Sequence, residues 1–276
     1  MKSLESNELQ ARYRLACELA KAGAELAFEY YQQRDRLAVD HKGDDLQDVV
    51  SVADKRVEAF VKQRIQSAFP EDGFLGEESG ARLPDARVLW VVDPIDGTTN
   101  FIHGFPVYCV SIAMAFKGKV EHAVVYDPSR NDLFTATRGR GAFLNERRIR
   151  VSKRTQLKDC LVSTGFPFRP GDNFKQYMAM MAELMPRTAG LRRPGAAALD
   201  LAYVAAGRVD GFFEIALKPW DFAAGELLVR EAGGLVCDFT GGHNYMTTGN
   251  IVAGNPRVVK AMLANMREQL SDALKR

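Results

Sequence analysis

The chain has 276 residues, of which 46% are hydrophobic and 26% charged, and its 37 Lys and Arg against 35 Asp and Glu leave a net charge of +2. This balance excludes an intrinsically disordered chain, which combines low hydrophobicity with high net charge, and it lacks the basic excess of a protein that mainly binds nucleic acid. The length corresponds to about 1.8 domains of roughly 150 residues, which predicts one large domain or two closely packed halves.

The sequence has no feature typical of a secreted or membrane protein. Its first ten residues lack the apolar segment of a signal peptide, and no stretch reaches the roughly 18 apolar residues of a membrane span. The cysteines are far apart and form no Cys-x-x-Cys pair, so we predict small buried side chains rather than a zinc or redox site: Cys17, Cys109, Cys160 and Cys237. We therefore expect a cytoplasmic protein with no membrane partner.

The first half of the chain combines amphipathic helices with a run of short strands. Apolar residues spaced by three and four predict helices over 8–33 and 53–68, with a polar loop between them. The apolar run Val88–Val92 predicts a buried strand that ends where a proline follows Asp93. Alternating patterns separated by turn-forming residues predict further strands over 107–116, 120–126 and 132–137, and a short one after the glycines at 139 and 141.

The second half alternates between helical and strand patterns. Helices are predicted over 172–185, 196–206, 221–232 and 256–273, and strands over 160–164, 210–215, 234–239 and 250–254. Such alternation is typical of an α/β arrangement, whereas the first half is richer in antiparallel strands. We therefore predict an α+β N-terminal half, residues 1–148, and an α/β C-terminal half, residues 149–276, with the active site in the cleft between them.

The segment Asp93–Asn100 has the chemistry of a metal and phosphate site. Because a proline restricts the backbone after Asp93, we expect Asp93, the Ile95 carbonyl and Asp96 to lie on one tight turn. Two carboxylates and a carbonyl form an all-oxygen ligand set that suits a hard divalent cation. Gly97 permits a ligand to approach the backbone, and the N–H groups that follow suit a phosphate. The alternative is a simple turn that caps the next helix.

Other acidic residues lie in similar settings. Glu77 and Glu78 follow a glycine, and only one of the two is expected to be a ligand. Asp221 follows a tryptophan where a helix is predicted to begin, so it is either an N-cap, a metal ligand or both. Asp48 and Asp54 flank a fourth acidic segment. Because unpaired buried acids are costly, a cluster of this kind implies cations that neutralise it.

The sequence lacks the motifs that competing catalytic schemes require. Ser163 does not occur in a Gly-x-Ser-x-Gly motif, and the glycines from 139 lack both the last glycine of a dinucleotide-binding motif and a following helix. The sequence has no P-loop lysine. Its histidines are isolated and are expected to be structural or exposed: His41, His103, His122 and His243. Metal-assisted hydrolysis of a phosphate ester is the scheme that remains.

Three motifs together carry a family resemblance. Gly76–Glu78, Asp93–Asn100 and Trp220–Gly225 occur in this order. The combination resembles the inositol monophosphatase family over nearly the whole chain, and the region from Gly195 to Asn255 looks most like the bacterial SuhB-type members of that family. The resemblance implies the layered α/β/α/β/α sandwich that the family shares with sugar bisphosphatases, and this agrees with the two halves predicted from the patterns.

The resemblance also implies roles for single residues. Glu77, Asp93 and the Ile95 carbonyl are expected to hold one Mg²⁺, and Asp93, Asp96 and Asp221 a second. Glu77 and Thr98 are expected to position the attacking water, with Asp48 nearby and associated with a third, weaker ion. The implied substrate contacts are Ile95, Asp96, Gly97, Thr98, Arg192, Ala197, Glu214 and Asp221. The sequence departs from the family pattern at Ser51, where Thr is more frequent, and at Ala196, where some relatives carry a hydroxyl.

The implied activity is hydrolysis of inositol monophosphates by a metal-activated water, without a covalent phosphoenzyme and with inhibition by lithium. A second hypothesis keeps this chemistry and changes the substrate to histidinol phosphate, a nucleotide 3′-phosphate or fructose bisphosphate. A third, taken from the SuhB-type members, is a partner role in transcription antitermination and ribosomal RNA synthesis, with Arg192–Arg193 and Arg147–Arg150 as surface candidates. Family members are commonly homodimers, and we expect the same here.

Overall fold

The computed structural model describes residues 6–36, 39–41, 49–167, 173–272 and 274–275. The helices are α1 (Ser6–Tyr31), α2 (Val52–Ala68), α3 (Thr98–His103), α4 (Phe174–Leu184), α5 (Ala197–Ala205), α6 (Pro219–Glu231), α7 (Tyr245–Thr248) and α8 (Pro256–Met266). The strands are β1 (Val39–His41), β2 (Val49–Ser51), β3 (Gly73–Gly76), β4 (Gly80–Arg82), β5 (Val88–Asp96), β6 (Cys109–Phe116), β7 (Lys119–Asp127), β8 (Asp132–Thr137), β9 (Gly141–Leu144), β10 (Arg147–Arg148), β11 (Leu161–Thr164), β12 (Gly190–Arg192), β13 (Gly211–Glu214), β14 (Leu235–Cys237) and β15 (Ile251–Gly254).

Most strands belong to two sheets. The first has eight strands in the order β10-β9-β8-β7-β6-β5-β3-β4, and it is antiparallel except where β3 runs parallel to β5. The second has five strands in the order β12-β11-β13-β15-β14, with β11 parallel to both of its neighbours and the remaining pairs antiparallel. β1 and β2 form a separate antiparallel pair.

Helices and sheets alternate in five layers. α1 and α2 cover one face of the eight-stranded sheet, α5 and α6 lie between the two sheets, and α4 and α8 cover the outer face of the five-stranded sheet. Each helical layer buries apolar side chains against a sheet, which is the main favourable contribution to folding. The predicted α/β/α/β/α sandwich is therefore confirmed.

The packing of α1 differs in detail from the predicted apolar stripe. The sequence pattern singled out Leu15, Ala22, Leu26 and Tyr30 beside Leu19, but the first four are only half-buried. The fully buried face is made mostly of alanines: Ala16, Leu19, Ala20, Ala24 and Ala27. Small side chains allow close approach, and a Cβ at Gly23 would lie 3.3 Å from the Val57 side chain of α2. The helix packs through its smallest residues because its two neighbours lie close to it.

The main helices and strands agree with prediction within a few residues, except at the end of α8. α8 ends at Met266, and the remainder of the predicted helix includes a short 3₁₀ turn over Arg267–Gln269. α1 ends at Tyr31, as predicted within two residues, but β1 occupies part of the region predicted as a loop. The elements that were not predicted are short: β1, β2, β3, β4 and β12 have three or four residues each, and α3 and α7 six and four.

Three further predictions concern the cysteines, membrane spans and the division of the chain into halves. All four cysteines are unpaired, with Cys109, Cys160 and Cys237 buried and Cys17 half-buried, as expected for small packing residues. None of the helices in the described part of the chain has both the length and the apolarity of a membrane span. The division into halves at residue 148 stays a prediction, and one continuous apolar core joins both sheets through α5 and α6.

Candidate active site

The predicted metal turn lies within the last residues of β5, which extends to Asp96 rather than ending at Val92. Asp93 pairs with Ser111 of β6 and Asp96 pairs with Cys109, so β5 has one extra residue between two ladder positions. This is a β-bulge, and it accommodates the proline that was expected to stop the strand, because the extra residue of a bulge needs no ladder hydrogen bond. The bulge places both carboxylates close together at the strand end.

Gly97 follows the bulge in a conformation that favours glycine. Its φ is +92°, and a Cβ there would lie 2.9 Å from the Val107 carbonyl oxygen and 3.2 Å from the Ala196 Cβ. The next helix, α3, begins directly after it. Asn100 of α3 donates through Nδ2 to the carbonyls of Val107 and Pro194, at 2.8 Å each. These bonds fix the turn against the segment that leads into α5.

Asp96 is held by the beginning of α5. Its carboxylate accepts the Ala197 N–H at 3.2 Å and the Ala198 N–H at 2.7 Å, and the Cys109 Sγ lies 3.7 Å away. Burial raises the pKa of Asp96 to about 6, and the Ala198 N–H opposes this shift by stabilising the carboxylate. The Ala197 N–H is thus engaged with Asp96.

Asp93 lies at the electrostatic centre of the site. It is buried, and burial together with neighbouring negative charges raises its pKa well above the usual range. The charges responsible are those of Glu77, Asp96, Asp221 and Asp54. Three of the predicted ligands therefore act on a fourth across short distances. A cluster of carboxylates that disfavour one another's charge is a site that a divalent cation stabilises.

The donor set fits Mg²⁺ in its chemistry. Carboxylates and the Ile95 carbonyl provide only oxygen, which is what hard cations prefer. In the described part of the chain, no group of three or more His, Cys, Asp or Glu side chains is arranged so that it could hold a metal ion. The fit to Mg²⁺ therefore rests on the oxygen donors themselves, because Mg²⁺ is bound by one or two carboxylates together with water and substrate oxygens.

Asp221 lies in the first turn of α6, which begins two residues earlier than predicted. The residue is therefore at the third helical position rather than at the N-cap, and its carboxylate accepts the Lys218 N–H at 2.6 Å. The helix is connected to the large sheet beside the bulge, because the Ser111 hydroxyl donates to the Trp220 carbonyl at 3.5 Å. A structural role at the helix start and a ligand role for Asp221 remain compatible.

Asp54 was not assigned a role from the sequence, and it contacts the predicted water-positioning residue. It is fully buried in the first turn of α2 and accepts the Thr98 hydroxyl at 2.9 Å. The Thr98 Oγ also lies 3.1 Å from the Ile95 carbonyl oxygen, so this hydroxyl is placed between the turn and α2. Ser51 donates to the same carboxylate through its N–H and its hydroxyl, at 2.8 Å and 2.6 Å.

Glu58, also of α2, holds the loop that carries Glu77. Its buried carboxylate accepts the Glu78 and Ser79 N–H groups, both at 2.7 Å. Gly76 leaves room for it, because a Cβ there would collide with the Glu58 carboxylate. One signal for Asp54 and Glu58 was available in the sequence: both are acids on the face of a predicted helix that must be apolar.

The second half of the chain places Glu214 at the end of β13. Its carboxylate packs against Gly165, where a Cβ would collide with it. Beneath it lies Asp200 of α5, which sequence reasoning missed; burial, followed by the charge of Glu214, raises the pKa of Asp200 well above its usual range. The Asp200 Oδ1 and the Ser163 Oγ are buried without a hydrogen-bond partner in the described structure. The region around Glu214 is thus polar and closely packed.

The remaining predicted residues are Arg192, which lines a groove, and Asp48, which lies outside the described structure. Arg192 is exposed at the end of β12 and lines a groove of about 490 Å³ that contains none of the predicted metal ligands. The groove is lined by Phe105, Val107, Arg130, Arg192, Arg193, Pro194, Tyr203, Arg208 and Val209. Asp48, predicted to assist catalysis, lies outside the described residues, as does any site for a third ion beside it.

The chain is similar to known proteins over nearly its whole length. A sequence model of the inositol monophosphatase family matches residues 8–272. The chain belongs to the inositol monophosphatase family. The carboxylate cluster at the end of β5 thus lies in a fold whose members are named for phosphate ester hydrolysis.

Relatives within the family carry two kinds of name. The chain is 56% identical over 263 residues to Nus factor SuhB of Escherichia coli K12, covering 95% of this chain and 98% of that protein. It is 49% identical over 273 residues to Nus factor SuhB of Pseudomonas aeruginosa, covering 97% and 100%. The same chain thus matches a family named for a phosphatase and relatives named as Nus factors.

Solved structures share the fold over nearly the whole chain. The extragenic suppressor protein suhB of Bartonella henselae superimposes with a TM-score of 0.90 at 42% identity, covering 94% of this chain and 100% of that chain. Inositol monophosphatase from Anabaena gives 0.83 at 37% identity, covering 94% and 96%. An inositol monophosphate-bound SaIMPase-II gives 0.78 at 26% identity, covering 96% of each.

Proposed function

We propose that this chain hydrolyses inositol monophosphates to inositol and phosphate in a Mg²⁺-dependent reaction. The observation that carries the proposal is the pair Asp93 and Asp96, buried on one bulge with the charges of Glu77 and Asp221 acting on Asp93. Family membership and the similarity to an inositol monophosphate-bound relative support the same substrate class.

The residues divide into two ligand sets. Glu77, Asp93 and the Ile95 carbonyl would hold one Mg²⁺, and Asp93, Asp96 and Asp221 a second. Bound there, Mg²⁺ supplies Lewis acidity, which neutralises phosphate charge, lowers the pKa of a water and stabilises the leaving alkoxide. A third ion, if bound, belongs near Asp48.

The chain's own groups orient the reactants. The Thr98 hydroxyl, placed by Asp54, and the Glu77 carboxylate would orient the attacking water, while the Gly97 and Thr98 N–H groups would donate hydrogen bonds to phosphate oxygens. Glu214 and the Ala197 backbone would contact the polyol ring. No side chain is required to form a covalent phosphoenzyme, and we expect lithium to inhibit the reaction and the protein to act as a homodimer.

Substitution of Asp96 by Asn tests this proposal. Asp96→Asn keeps the shape of the side chain and one acceptor for the α5 amides but removes a ligand charge, so release of phosphate from inositol 1-phosphate should fall by more than about 100-fold. The control is Asp210→Asn, another buried carboxylate that accepts the Leu161 N–H at 2.7 Å far from the cluster. Near-normal hydrolysis by Asp96→Asn would refute the metal assignment.

A second candidate function has its own observation. The groove at Arg192 and Arg193 gathers four arginines beside Phe105, which is 52% exposed, and relatives that are 56% and 49% identical are named Nus factor SuhB. These facts support a role as a partner of the transcription machinery, separate from hydrolysis. Asp96→Asn should leave such binding intact, whereas Arg208→Ala in the same groove should weaken it without reducing hydrolysis of small esters.

A further inference from the structure

One face of α2 carries two buried carboxylates that contact both loops of the candidate site. Asp54 and Glu58 are four residues apart, so their side chains lie on the same side of the helix, one turn apart. Their exposed fractions are 0% and 2%. Such residues are rarely found in a core unless their hydrogen bonds are satisfied, and here the partners are the two loops themselves.

Glu58 fixes the loop of Glu77 from the helix side. Two backbone N–H groups, those of Glu78 and Ser79, donate to it, and both bonds are short at 2.7 Å. From the sheet side, the Glu77 N–H donates to the Val92 carbonyl of β5 at 3.3 Å. The loop is therefore held between α2 and the strand that ends in the bulge.

Asp54 fixes the second loop, through Thr98. The Thr98 hydroxyl reaches the Asp54 carboxylate at 2.9 Å, and Ser51 at the N-cap of α2 donates twice to the same group. The bulge and the loop of Glu77 thus share one rigid support, the first two turns of α2.

This support counteracts a repulsion built into the site. The charges of Glu77 and Asp93 disfavour each other, and the two residues lie on different segments, the loop after β3 and the bulge of β5, which this repulsion tends to separate. Ligands on different elements bind one ion well only when their spacing is fixed in advance, and groups that orient metal ligands typically change affinity by about 10- to 100-fold.

We infer that Asp54 and Glu58 form a positioning clamp that sets the spacing of the two ligand loops and thereby sets the affinity for Mg²⁺ without touching the ion. The inference rests on the proposed function, because it takes Glu77 and Asp93 as ligands. The clamp acts on binding of the ion, so its loss weakens metal affinity more than it slows turnover once metal is saturating.

Glu58→Gln tests the clamp. The amide keeps one acceptor but directs its NH₂ group at a backbone N–H, so one of the two loop bonds is lost. We expect the Mg²⁺ concentration for half-maximal hydrolysis to rise about 10-fold or more. Direct binding of Mn²⁺, followed by its electron paramagnetic resonance signal, should weaken by the same factor. The kcat at saturating Mg²⁺ should stay within about threefold of the wild type.

The matched control is Asp72→Asn. Asp72 is also buried between the helical layer and the large sheet, beyond the other end of α2, and it binds Arg12 and Trp90 at 2.8 Å. It should lower the melting temperature without changing Mn²⁺ affinity. Gly76→Ala is a second test, because the new Cβ displaces the Glu58 carboxylate while its charge remains. It should reproduce the loss of affinity.

The outcomes distinguish failure of the clamp from failure of the proposed function. If the wild type binds Mn²⁺ and folded Glu58→Gln binds it equally well, the clamp is overturned while the proposed function stands. If Asp72→Asn weakens Mn²⁺ binding as much as Glu58→Gln does, the effect is general destabilisation and the clamp is again overturned. If the wild type neither binds Mn²⁺ nor hydrolyses any phosphate monoester, the proposed function fails and the clamp with it.

Discussion

At the scale of single residues, Gly97 shows how tightly the turn after the bulge is constrained. Its φ of +92° disfavours any other residue, and a Cβ would collide with the Val107 carbonyl oxygen. Gly97→Ala should therefore destabilise the protein by about 1–3 kcal/mol beyond the cost of the positive φ alone, because the collision forces the backbone to shift. Urea unfolding measures this, and hydrolysis should fall in parallel since the turn carries the ligands.

Gly118→Ala is the control for Gly97→Ala. Gly118 has a φ of +75° but an added Cβ meets nothing within 4 Å, so its substitution reports backbone strain alone. It should cost about 1–2 kcal/mol and leave hydrolysis unchanged. Equal destabilisation by the two substitutions would contradict the close packing of the turn.

Residue chemistry explains which site residues the sequence could reveal. Asp93 and Asp96 lie in one short motif whose proline and glycine indicate an unusual backbone conformation. Both local reasoning and the family resemblance therefore identify them as site residues. Glu58 and Asp54 could not be assigned in this way. Their partners lie 20 to 44 residues away, and only the folded chain brings them together.

At the scale of elements, β5 shows where local rules stop. Proline was expected to end the strand, because it has no N–H to donate to the neighbouring strand. In the bulge that N–H is not needed, because the extra residue makes no hydrogen bond to β6. Similarly, β3, β4 and β12 are too short and too rich in glycine to show an alternating pattern. Their pairing is decided by neighbouring strands rather than by their own residues.

The packing of α1 on β7 provides a pH-dependent prediction. His122 of β7 is buried beside the Tyr13 ring, with 5.3 Å between centroids, and burial lowers the pKa of His122 from 6.5 to about 4. In the unfolded chain His122 therefore binds a proton below about pH 6.5, whereas in the folded protein it binds one only below about pH 4. The stability contributed by the neutral form is thus present above pH 6.5 and lost as pH falls towards 4.

The measurement is the free energy of unfolding at pH 7 and pH 5. Between pH 7 and pH 5, protonation of His122 in the unfolded chain should lower the free energy of unfolding of the wild type by about 2 kcal/mol. Because Gln does not titrate, the free energy of unfolding of His122→Gln should fall by about 2 kcal/mol less over the same interval. His243→Gln is the control, since His243 is a histidine outside this core. An identical pH dependence in the wild type and His122→Gln would show that the histidine is protonated in the fold.

At the scale of the whole molecule, a net charge of +2 conceals a separation of charge. Acidic side chains gather at the end of β5, while four arginines line the groove at Arg192. The fold class was predictable because each half has its own periodicity, whereas the order of the layers came from the family resemblance. The groove was not, because its arginines come from distant positions that only the packing of α5 against the large sheet brings together.

The most direct test of the central claim is phosphate release from inositol 1-phosphate by the wild-type protein, with Mg²⁺ and then with excess EDTA. We predict turnover with Mg²⁺, a loss of more than about 100-fold in EDTA, and recovery when Mg²⁺ is restored. Histidinol phosphate measured alongside should be hydrolysed more slowly; equal or faster turnover would move the assignment to that substrate. An unchanged rate in EDTA, or no hydrolysis of any monoester with Mg²⁺, would contradict the account.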